Sequence, residues 1–178
     1  MIGKERRFDA FPKSVKHSLE HPDVIYERAD NLYAVRRSQT TPMQATPVVS
    51  LDADGGASFL IYRGMPDQYS SAADMSIPVY TLSRGNNLAV PTGRVFIRFS
   101  EGIEIASRQA KLKRVGYRLA QTLAYASNAG WLEAEDMTTL TALKNIGKLG
   151  QLADIANIEP QFLSARVTRS SDILSKVP

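Results

Sequence analysis

The chain has 178 residues, of which 43% are hydrophobic and 22% charged, with no cysteine and a formal net charge of +4. That balance suits a folded protein of one ordinary or two small domains and excludes disorder throughout. It also excludes a disulfide framework and a thiolate nucleophile, and no run approaches the ~20 apolar residues of a membrane-spanning helix.

The opening residues, MIGKERRFDAFPK, are charged and lead into no apolar run, so no secretory signal is visible. The chain as given is expected to be cytoplasmic, or extracellular if a leader was removed. The positive excess is scattered, densest at Lys4 to Arg7 and Lys111 to Arg114. A solvated helix face explains Lys111 and Lys113 as well as a binding patch does.

Ser14 to Glu20 contains helix formers, and His21-Pro22-Asp23 ends that weak helix because proline disfavours a helical residue before it. VIYE and LYAVRR, on either side of Ala29-Asp30-Asn31, read as two short strands. VVSLDADGGASFLIYRG reads as a hairpin turning at Gly55-Gly56, and PVYTLSRGNNLAV as another turning near Gly85, because glycine supplies the positive φ of a tight turn. Residues 1–92 are therefore predicted to be a β-hairpin-rich region, ending near Pro91-Thr92-Gly93.

RVFIRF (94–99) alternates, with Val95, Ile97 and Phe99 to one side and Phe96 to the other. A short amphipathic helix over Ile105 to Val115 follows, with Gly116 as its cap. Tyr117 to Ala126 reads as a strand, Ser127 to Ala129 as a turn, and GWLEAE (130–135) as a third strand. Asp136 is placed to cap a helix from Met137 to Leu149, whose apolar residues recur every three and so drift around a helix of 3.6 residues per turn. Ile155 to Phe162 is the last strand. The predicted fold class is thus α+β: a ferredoxin-like βαββαβ antiparallel sheet with two helices over 93–166, after a β-rich N-terminal extension. Residues 167–178 form a tail.

Five segments, taken in order, narrow this pattern: VPTGRVFIRFSEGI, KRVGYRL, YASNAGWLEAE, ALKNIGKL and IANIEPQFLSA. Over residues 90–166 the chain resembles the propeptides of subtilisin-like serine proteases. In that family an alternating strand is followed by an acidic-glycine turn, matched by Arg94 to Gly102. A helix ends in glycine, matched by Gly116, and the closing strand carries Glu-Pro, matched by Glu159 and Pro160. The Asp, His and Ser catalytic motifs of the proteases themselves are missing from this sequence.

The resemblance implies a non-catalytic inhibitor or intramolecular chaperone of such a protease, acting in cis or in trans, and not an enzyme. The helices would cover Val95, Ile97, Phe99, Leu119, Leu132, Ala156 and Ile158. The other face, with Phe96, Trp131, Glu133, Ile155, Asn157, Glu159 and Gln161, would dock on the protease. Glu159 would approach helix N-termini there, whose unpaired N–H groups accept a carboxylate. The trailing segment Phe162, Leu163, Ser164, Ala165, Arg166 and Val167 would lie in the substrate cleft, with 167–178 leading towards a protease domain.

No catalytic residue, cofactor, metal, nucleic acid or membrane partner is assigned. Trp131 and Phe96 also fit ordinary half-buried packing, and Glu159 also fits a plain strand end. His17 and His21 stand at i, i+4, but two ligands do not make a metal site. Asp52 and Asp54 lack the distal glutamate of a calcium loop. The rival function is an RNA-binding module of RNA-recognition-motif type, with aromatics on an open sheet. The acids of GWLEAED count against it, because they repel phosphate. A structural interaction domain without a protease partner is the other alternative.

Overall fold

The computed structural model describes residues 8–37, 46–52, 58–64, 76–83 and 87–164. Its elements, in order, are β1 Ser14–Lys16, β2 Ile25–Arg36, β3 Val49–Asp52, β4 Ser58–Arg63, β5 Ser76–Leu82 and β6 Leu88–Phe99. A 3-10 turn over Ile105–Arg108 runs into α1 Gln109–Arg114. Then come β7 Tyr117–Leu123, β8 Ala126–Ala134, α2 Thr139–Lys144, α3 Ile146–Leu149 and β9 Ile155–Ser164. The nine strands make one antiparallel sheet in the order β3-β4-β2-β5-β6-β8-β7, with β1 added beside β2 and β9 beside β6.

This architecture corrects the ferredoxin-like expectation: the described residues are mostly antiparallel β, with nine strands and three short α-helices among them. Two features account for the difference. β6 is 12 residues long and runs through Pro91-Thr92-Gly93, so the hairpin strands and the later strands share one sheet. The helices are also shorter than their patterns suggest. The stretch 137–149 starts only at Thr139, after Met137 takes a positive φ of 62°, and breaks at Asn145.

Smaller corrections follow from burial and pairing. Ser14 to Lys16 pairs with β2 and buries Val15, so the N-terminal stretch is strand rather than helix. VIYE and LYAVRR fuse into β2, and residues 29–31 fall where its pairing with β5 shifts register. The β7–β8 turn lies at Ala124 and Tyr125 instead of 127–129, because Asn128 is held in β8, its side-chain amide donating to the Phe99 carbonyl at 2.7 Å.

Four hydrophobic clusters form among the described residues, the smallest being Val35, Leu60 and Tyr62 with Tyr33 against them; the other three make up most of the interior. Ala34, Leu51, Phe59, Ile61, Val79 and Val90, joined by Leu163, come from β2 to β6 and β9. The sheet curls enough for β3 to approach β9. A second cluster lies under the helices: Val95, Ile97, Phe99, Ile105, Leu112, Tyr117, Leu132, Ala142, Leu149 and Ile158. Burying each aliphatic side chain there contributes about 1.5–3 kcal/mol. The third links the two, with Val15, Tyr80 and Leu143 packed against Tyr26 and Phe162. The Phe162 ring stacks on Tyr26 at 4.0 Å and meets Tyr80 edge-on at 5.4 Å. Burial pushes the Tyr80 and Tyr117 hydroxyls well above the usual tyrosine range, and both are satisfied by carbonyls, those of Pro12 and Ala142.

Thr138, not Asp136, is the cap of α2: its hydroxyl accepts the Thr141 N–H at 3.2 Å. Asp136 instead braces the cap, accepting from the Thr141 hydroxyl at 2.7 Å and from the Thr138 N–H at 3.0 Å. Those bonds, the Thr141 one first, hold its carboxyl below the usual range. A folded pKa below the unfolded one stabilises above the unfolded value, near pH 4, and the gain is lost as pH falls through the folded value. The melting temperature of Asp136→Asn should therefore lie below wild type at neutral pH, and the gap should close on acidification. A gap that widens below pH 4 would contradict this.

Candidate docking face

One side of β9-β6-β8-β7 carries the helices, and the opposite side presents alternate residues of each strand. Register places Glu159, Phe96, Trp131 and Gln121 side by side across it. Phe96 and Trp131 are half-buried and meet edge-to-face, centroids 5.6 Å apart at 64°, a favoured geometry for two ring quadrupoles. The neighbouring row is Arg94, Glu133 and Arg118. The Glu133 carboxylate accepts from Arg94 Nε at 3.2 Å and from Arg118 Nη2 at 2.8 Å. Such partly exposed pairs add little stability, about 0–1 kcal/mol each, but they fix two long side chains beside the aromatic pair. A third arginine, Arg98, pairs with Glu20. The face is therefore apolar at its centre and charge-matched around it.

Five of the residues predicted for this face lie on it as alternation requires: Phe96, Trp131, Glu133, Asn157 and Glu159. Ile155 does not. It packs into the cluster under the helices, whereas Ala156, predicted for that cluster, is exposed. The cause is a register shift: Arg98 pairs with Asn157 but Phe99 pairs with Ile155, which leaves Ala156 out of the ladder. A skipped residue reverses the facing of everything beyond it.

Gln161 is engaged within the chain, its side-chain oxygen accepting the Thr92 hydroxyl at 2.8 Å. Phe162, Leu163 and Ser164 are not a trailing segment. They pair with Pro91, Val90 and Ala89 as the end of β9, and Phe162 and Leu163 supply core contacts. Ala165, Arg166 and Val167 lie outside the described residues, as does the loop with Asp54 and Gly55.

The N-terminal segment contributes contacts that local pattern does not encode. The Leu19 N–H reaches Asn157 Oδ1 at 3.2 Å and the Ile158 carbonyl at 3.3 Å. His17 lies 3.8 Å from the Glu159 carboxylate and 3.4 Å from the Tyr26 hydroxyl. Burial, and then the Glu159 charge, raise the Tyr26 pKa. No group of three or more metal-ligating side chains occurs among the described residues, and no helix there is long and apolar enough to cross a membrane.

The chain matches no family model, and comparison with curated proteins and with solved structures gives no match.

Proposed function

We propose that this chain is a non-catalytic partner of a subtilisin-like serine protease, docking through the face built around Phe96 and Trp131. The observation that carries the docking mode is the edge-to-face pair of those rings, half-buried at the centre of the face. Interface energy concentrates in central aromatic anchors ringed by polar contacts. The charges beside the aromatic pair are already matched within the face, with Glu133 between Arg94 and Arg118. That favours a protein surface over nucleic acid, whose phosphates attract unpaired cations.

The identity of the partner rests on the sequence resemblance over 90–166, in which Glu159 and Pro160 close the last strand. Of the segment assigned to the cleft, only the residues after Ser164 remain for that role, because β9 takes the rest.

The test is inhibition of subtilisin by the whole chain. Peptide hydrolysis should fall to a few per cent in the presence of a modest excess, with slow recovery on dilution. Undiminished hydrolysis at a hundredfold excess, with no complex on a sizing column, would end this reading. Binding of single-stranded RNA at low salt in place of the protease would move the face to the nucleic-acid class.

A further inference from the structure

Asn157 stands on the docking face, two residues before the partly accessible Glu159 and paired with the exposed Arg98, yet it is only 5% exposed. The cover comes from the chain's own N-terminal segment. Leu19 donates its N–H to Asn157 and to the Ile158 carbonyl, Glu20 reaches across to Arg98, and His17 stands over Glu159. One end of the face, its β9 side, is thus occupied.

We propose that residues 17–20 are a detachable cover on the docking face, which a partner must displace to reach Arg98, Asn157 and Glu159. Ser18 is buried and accepts the His21 N–H within the segment, and the His17 N–H is bonded to the Val24 carbonyl, but the residues of the cover that meet the face are lightly held. The Leu19 residue is 46% exposed, the Glu20 and Arg98 side chains are 49% and 44% exposed, and β9 receives the Leu19 N–H in place of a ladder. Behind it the segment is firmly anchored: Val15 is buried, the Tyr80 hydroxyl donates to the Pro12 carbonyl, and Arg28 donates to the Phe8 and Phe11 carbonyls. Opening therefore pivots between Lys16 and His21 and leaves the anchor in place. A site that is competent only when uncovered binds more weakly in proportion to the open fraction, so the cover tunes affinity without touching the aromatic centre.

The protease partner rests on the reading above, but the cover can be tested without it. Hydrogen exchange on the free chain should show the Leu19 amide exchanging about threefold faster in Glu20→Ala than in wild type, within the one- to fivefold span for losing one exposed ion pair, with the Ile97 amide unchanged. If Leu19 exchanges at the same rate in both chains, the cover is not held as described and the inference falls.

The second arm measures binding to subtilisin blocked at its catalytic serine. Glu20→Ala should bind about threefold tighter than wild type, and Leu19→Pro, which removes the donor, about tenfold tighter. Equal or weaker binding by both variants overturns the inference. If no form of the chain binds, the protease reading fails, and the exchange result alone decides the cover.

Discussion

Gly130→Ala is expected to destabilise the chain by about 3 kcal/mol, at the upper end of the usual range for overpacking. Gly130 lies in β8 between Ile97 of β6 and Thr122 of β7. A methyl group there would stand 2.5 Å from the Gln121 carbonyl oxygen, 3.0 Å from Leu119 Cδ1 and 3.1 Å from Ile105 Cδ1. Both leucine and isoleucine tips can rotate, but the carbonyl belongs to β7 and moves only with the strand. The close approach arises because β7 shifts register between Leu119 and Gln121, which drives that backbone towards β8. Glycine is required here for space rather than for a positive φ. Urea unfolding of the two chains measures the loss. A midpoint within error of wild type would mean that β7 does not lie as close as its pairing places it.

Trp131→Ala is expected to weaken protease binding by at least thirtyfold, or about 2 kcal/mol, while lowering fold stability by about half that. The ring is half-buried and its principal aromatic contact is Phe96, so little of the interior depends on it. The strand-mates that hold β8 in place, Leu132 and Ala134, point the other way into the cluster under the helices. Calorimetric binding and thermal melting, run on the same preparation, separate the two effects. Unchanged affinity with a large fall in melting temperature would make Trp131 a packing residue and remove the centre of the proposed face.

Local pattern was informative where local chemistry decides. The alternation of RVFIRF put Phe96 opposite the buried Val95, Ile97 and Phe99, and the structure holds that arrangement. The hairpin reading of 48–64 agrees with the pairing of β3 with β4. Gly116 does follow α1 with a positive φ of 88°. Where the sequence misled, distant partners decided. Nothing near Ala156 marks it as the residue left out of the ladder, because the skip shows only in how β9 pairs with β6. Ser14 to Lys16 reads as weak helix until β2 supplies a strand to pair with. The fold class failed for the same reason: an alternating strand shows its two faces but not its neighbours, and β6 has β5, β8 and β9 as partners. Contacts such as Glu20 with Arg98, 78 residues apart, leave no periodic trace.

β6 has one further consequence. Its first half supplies Val90 to the cluster enclosed by the curled strands, and its second half supplies Val95, Ile97 and Phe99 to the cluster beneath the helices. A single length of backbone is thus the spine of both. β9 runs along both halves of that spine, so a cut at Gly93 would leave neither cluster with its own ladder whole.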